Sequence, residues 1–80
     1  MPTVFVQNGY RVSFYSYDLA EPIHVHVFKA GHECKLWLDD LTLAYNHGFR
    51  PQEVAKIRQM VTERRTEIIE QWLEHGRSVN

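Results

Sequence analysis

Two histidines one residue apart, His24 and His26, are the side chains whose type and spacing best suit chemistry in this sequence. They lie in Glu21-Pro22-Ile23-His24-Val25-His26. On a strand they project to one side, roughly 7 Å apart at the backbone. Lys35 and Trp37, from a neighbouring alternating run, fall across from them. Such a set has three chemical uses. In the first, one imidazole takes a proton while the other gives one, and Lys35 stabilises a developing phosphate charge, as metal-free RNA cleavage requires. In the second, His-x-His supplies two metal ligands, with the third coming from Glu21, His32, His47 or an aspartate at 39–40, none forced by spacing. In the third, His and Trp37 form a flat amphipathic surface for a protein or a base. A structural reading stands beside these: the rings are solvated on a half-exposed strand or hydrogen-bonded beneath helices, since so short a motif has little specificity. The candidate catalytic residues are thus His24, His26 and Lys35, with Glu21 and Trp37 as binding residues. No cofactor is expected. No stoichiometric zinc is expected either, because spacing places only two ligands and a structural site takes four.

The elements that must position these residues begin with a hairpin. Val4–Gln7 and Tyr10–Tyr15 are β-rich runs around Asn8-Gly9, a pair that tolerates the positive φ of a type I′ turn. A two-residue turn sets Phe5 opposite Val12 and Thr3 opposite Phe14, on the core side. Residues 17–22 break the pattern, and Pro22 suits a loop or a strand entrance. From Ile23 to Phe28 strict alternation returns, with Ile23, Val25 and Val27 on one face and His24, His26 and Phe28 on the other. After Ala30-Gly31, Glu33–Leu38 alternates again. The register that pairs Ile23 with Leu38, Val25 with Leu36 and Val27 with Cys34 keeps every apolar residue on one face. It also sets His24 beside Trp37, His26 beside Lys35 and Phe28 beside Glu33. Cys34 then lies on the apolar side, as a buried, inert thiol.

Asp39-Asp40 predicts an N-cap for a short helix over about 40–47, ended by Gly48, with His47 favourable at its C-terminal end. A longer helix is predicted from Pro51 to about His75, before Gly76. Pro51 takes the first helical position, Glu53 the third, Phe49 staples onto Val54, and Arg50 is a poor capping residue. The apolar stripe is Val54, Ile57, Val61, Ile68 and Trp72, with a gap at Arg64-Arg65, and Ile69 and Leu73 widen it. Arg58, Arg64 and Arg65, interleaved with Glu63, Glu67 and Glu70, read as a solvated face. A straight helix of this length overhangs a sheet of six-residue strands. Ile69, Trp72 and Leu73 are therefore expected at a partner-binding end, with burial in the domain's own core as the other outcome. The predicted architecture is α+β: a four-stranded antiparallel sheet from two β-hairpins, followed by a short and a long α-helix.

Eighty residues with 44% hydrophobic and 12% aromatic content make one folded domain, residues 1–80. Nine Lys/Arg against ten Asp/Glu leave a charge near zero, which argues against tight non-specific DNA binding while leaving transient RNA contact open. One cysteine, no signal peptide and no run of about 20 apolar residues lead to the expectation of a soluble cytoplasmic protein.

Four segments, Met1-Pro2-Thr3-Val4-Phe5, Glu21-Pro22-Ile23-His24-Val25-His26-Val27, Lys35-Leu36-Trp37-Leu38-Asp39 and Asn46-His47-Gly48-Phe49, carry a resemblance. In this order they resemble the family of small bacterial and archaeal proteins called domain of unknown function 4160. That family usually has Pro where this chain has Ile23 and a small capping residue where it has Arg50, and neither change touches the histidines. The resemblance implies that His24 and His26 are signature residues. It also implies a small protein partner encoded nearby, in an arrangement like toxin–antitoxin pairs, with this chain as the effector. A non-catalytic domain that binds its neighbour or itself is the alternative, and a metal-binding domain a third.

Overall fold

The computed structural model describes residues 3–15 and 19–79, so Met1-Pro2 of the first motif and Tyr17-Asp18 of the loop lie outside it. Five strands, β1 (Thr3–Gln7), β2 (Tyr10–Ser13), β3 (His24–Lys29), β4 (His32–Trp37) and β5 (Leu43–His47), precede two helices, α1 (Pro51–Glu63) and α2 (Arg65–Val79). The sheet is an antiparallel meander in the order β1-β2-β3-β4-β5, with β3 at its centre.

The β3–β4 register is the predicted one, with His24 opposite Trp37, Val25 opposite Leu36, His26 opposite Lys35, Val27 opposite Cys34 and Phe28 opposite Glu33. Asn8 and Gly9 take φ of 52° and 81°, as the turn between β1 and β2 demands. Phe5 faces Val12 as expected, but a bulge beyond Phe5 sets Thr3 opposite Ser13 rather than Phe14.

Residues 43–47 form an edge strand and not the predicted short helix, so the sheet has five strands rather than four. Asp40 caps a turn instead of a helix: its Oδ1 accepts the Thr42 N–H at 3.0 Å and the Thr42 hydroxyl at 2.7 Å. Those bonds hold the Asp40 carboxyl below its usual range. Leu41 completes the reversal at φ 62°, donating its N–H to the Trp37 carbonyl. The extra residue, Ala44, then bulges between Tyr45 opposite Lys35 and Leu43 opposite Leu36. Leu43 and Tyr45 therefore serve opposite faces, and the residue pattern loses its simple period.

One face of the sheet carries Phe5, Val12, Val25, Val27, Cys34 and Leu36, and the helices close over it with Val54, Ile57, Met60, Val61 and Ile68. Cys34 is buried there, and desolvation pushes its thiol up to about 12. The start of α1 is built as the sequence implies, with Pro51 first and the Arg50 N–H donating to Glu53 Oε1 at 3.1 Å. That backbone bond is the main cause of the lowered Glu53 pKa.

The predicted single long helix is two: the chain leaves helical geometry at Arg64 (φ −114°, ψ 23°), at the gap in the apolar stripe, and α2 runs on through Gly76. The arginines near the break are not merely solvated. Arg64 lies over the Phe5 ring at 3.9 Å and donates to Glu67, while Arg65 and Arg58 donate to the Leu38 and Leu41 carbonyls. They tie the helices to the β1 edge and the β4–β5 turn. No described helix is long and apolar enough to cross a membrane.

Candidate functional site

The other face of the sheet, which α2 reaches at the His24 end through Trp72, is organised in rungs across the strands. One rung is Ser13, His26, Lys35 and Tyr45; the next is Arg11, Phe28, Glu33 and His47; His24 pairs with Trp37 at the end of β3. Strand alternation places these residues on the face opposite Val25 and Val27.

The two histidines are not solvated: His24 is fully buried and His26 is 5% exposed. His24 donates from Nδ1 to the Pro22 carbonyl at 3.0 Å, and its ring meets those of His26, Trp37 and Trp72 edge-on at 5.2–5.5 Å. His26 Nδ1 lies 3.3 Å from Glu33 Oε2 and 3.1 Å from the Tyr45 hydroxyl, which itself donates to the same carboxylate oxygen. A carboxylate only accepts, so Glu33 fixes the proton of His26 on Nδ1 and orients the ring. Tyr15 packs edge-on against His26 at 4.7 Å, and Phe28 stacks beside it. His26, Glu33 and Tyr45 can therefore relay or hold a proton. Their main effect is to satisfy polar groups in a nearly closed aromatic layer.

Lys35 lies on the same face but is turned to the other end: its Nζ donates to Glu21 Oε1 at 2.9 Å and lies 4.7 Å above the Trp37 ring. The predicted trio His24, His26 and Lys35 is thus adjacent in the sheet, while the amine is committed to Glu21 rather than aimed at the imidazoles. Among the described residues, no group of three or more His, Cys, Asp or Glu side chains could hold a metal ion. His47, expected to cap a helix, is exposed on β5 with its ring 4.8 Å from that of Tyr45.

The predicted partner-binding end of the helix divides. Trp72 is buried, packed on Phe14 at 5.1 Å and on His24 at 5.2 Å, so it belongs to the domain and closes the His24 end of the sheet. The interruption at Arg64 separates this end from α1, and Trp72 beyond it packs onto the sheet's own residues. Ile69 is half-buried, whereas Leu73 is 51% exposed. Ile69 also forms one wall of a recess of about 400 Å³, with Pro22, Ile23, Trp37 and Leu38 opposite it, and Arg65, Asp39 and Asp40 at its rim.

Sequence reasoning missed Glu33 and Tyr45 as partners of His26. The register contained the signal for Glu33, since pairing with Phe28 puts it diagonally across from His26. Tyr45 carried no such signal while its segment read as a helix.

A small α+β domain, with a meander backed by two helices and a buried His-x-His on the opposite face, is the class these observations define. The model of a family described as a domain of unknown function, DUF4160, matches residues 9–73, and the chain belongs to that family. No curated protein and no solved structure matches it.

Proposed function

We propose that the domain works by binding a protein, as one member of a two-component pair of toxin–antitoxin type, and that the recess between Trp37 and Ile69 is its contact site. The observation that carries this reading is the recess itself. Its walls come from the loop before β3, the end of β4 and α2, three apolar segments far apart in sequence. Leu73 extends the apolar strip one turn along α2, and Asp39 and Asp40 suit a partner segment with an apolar anchor beside a basic residue. The Arg65 guanidinium at the rim is engaged by the Leu38 carbonyl at 2.6 Å, so the aspartates set the local recognition.

The test is titration calorimetry of the purified chain against the small protein encoded beside it. Leu73→Glu and Asp39→Lys should each weaken binding at least tenfold with unchanged melting. Binding by both variants as tight as wild type would overturn the site. A chain that sediments as a dimer, dissociated by Leu73→Glu, would make a second copy the occupant.

Acid–base chemistry on RNA by His24, His26 and Lys35 is the second reading, favoured by the carboxylate that orients His26. The enclosure of both rings and the Lys35–Glu21 pair weigh against it. RNA cleavage abolished by His26→Ala in a variant that still binds its partner would promote it.

A further inference from the structure

We propose that the opposite end of the β3–β4 hairpin, around Ala30-Gly31, binds single-stranded nucleic acid. Lys29 stands at the centre of three adjoining recesses of about 450, 460 and 300 Å³. Arg50 and Lys56 line the first of them, Arg11 the second, and Lys56 again the third. Basic side chains thus flank the hairpin tip on both sides, Lys29, Arg50 and Lys56 on the helix side and Arg11 on the open face, although the chain as a whole carries a net charge of −1.

Each recess also holds one carboxylate, and Glu33, Glu53 and Glu63 against the four cations leave a local charge of +1. Glu53 accepts the Arg50 N–H and the Tyr10 hydroxyl, and Glu33 accepts from Tyr45 and His26. Glu63, at the far rim, is exposed. Local charge, not net charge, is what phosphates meet within a Debye length of about 10 Å.

Two features point to a nucleic-acid strand rather than an acidic protein. The Arg11 guanidinium lies 5.2 Å over the half-buried Phe28 ring, next to Lys29 in the same recess, and the rings of Tyr45 and His47 continue the surface across β5. Cations that follow a backbone, beside planar groups that take a stacked base, are the two components of single-strand binding. The turn between them is small, and nothing lies within 4 Å of where a Gly31 side chain would begin, so a strand can pass close to the backbone. This surface does not depend on the recess at Trp37, which sits at the other end of β3, five residues or roughly 17 Å away.

Fluorescence anisotropy of labelled twelve-nucleotide uridine and thymidine oligomers, from about 50 to 200 mM salt, tests the proposal. Wild type should bind with a negative salt slope. Lys29→Glu/Lys56→Glu should lose at least tenfold affinity and flatten the slope by about 1.4, at roughly 0.7 per lost single-strand phosphate contact. Phe28→Ala should weaken binding while leaving the slope unchanged. Tighter binding of uridine than of thymidine oligomers would assign RNA, and the reverse DNA; either supports the site. No anisotropy change at millimolar wild-type protein would overturn it. So would full affinity in the double Lys variant, or equal competition by polyglutamate, which marks a general polyanion surface.

Discussion

Replacing Trp72 by Ala should destabilise the whole domain, while the same change at its neighbour Leu73 should not. Trp72 is 7% exposed and fills the angle between the Phe14 and His24 rings, both of which are fully buried. Removing an indole from such a site loses its transfer free energy and leaves a cavity, together about 3–5 kcal/mol. A domain of this length has a total stability of about 4–12 kcal/mol. Each kilocalorie shifts the midpoint by about 4–8 °C at this size, so even the lower figure lowers the melting temperature by about 12–24 °C. Leu73, at 51% exposed, should shift it by only about a degree or two. Thermal unfolding followed by circular dichroism in the far and near ultraviolet measures both variants. Near-identical midpoints for wild type and Trp72→Ala would show that α2 does not close this end of the sheet. The contact between Trp72 and His24 would then be discarded, and with it the assignment of His24 to the domain's own packing.

Val25→Asp should abolish cooperative melting, because it places an unpaired charge among fully buried apolar groups. His26→Ala should also be destabilising, by about 1–3 kcal/mol, since it strips a hydrogen-bond partner from Glu33 and Tyr45 in a nearly closed layer; an unchanged urea midpoint would refute this. Cys34 should resist a thiol reagent at pH 8 until the protein is denatured. With its folded pKa raised from 9.0 to about 12, its contribution to stability is complete below pH 9 and is lost as pH rises toward 12, which alkaline melts of Cys34→Ala against wild type will report. Gly48→Ala should be costly on two counts, a φ of +108° and a new Cβ within 2.1 Å of His32 Nδ1. Adding His32→Ala should recover only the second part of the loss in a double-mutant cycle.

The central hairpin was legible because both of its strands alternate strictly, and only one register keeps Val25, Val27, Cys34 and Leu36 together. The start of α1 was legible because Pro51, Glu53 and Phe49 act locally. β5 was not, since Asp39-Asp40 offers the same cap to a turn as to a helix, and the bulge at Ala44 disrupts the alternation of Leu43 with Tyr45. The gap at Arg64-Arg65 was visible in the apolar stripe; what it meant was not, because the partners of those arginines, Phe5, Gln7 and the Leu38 carbonyl, lie far away in sequence. Burial of His24 and His26 was one of two structural readings, and for a different reason the sequence did not select it over solvation. A polar residue on alternate positions signals solvent, and the rings that exclude it, from Tyr15, Trp37, Tyr45 and Trp72, come from four separate segments.

The order of the meander has a consequence for how the chain reaches this state during synthesis. Each strand bonds to the one made just before it, so the sheet can assemble by successive hairpin closures with little loop entropy to overcome. All five strands nevertheless precede both helices, and the helices supply the only described cover for Val12, Val25, Val27 and Leu36. At about 5–20 residues per second, the roughly thirty residues from Pro51 onward take seconds to emerge. For that interval a nascent sheet presents a bare apolar face and two open edges to its surroundings. The slow step for a productive fold is thus the arrival of α1 and α2, and slowing translation across residues 51–72 should raise aggregation without changing the finished protein's stability.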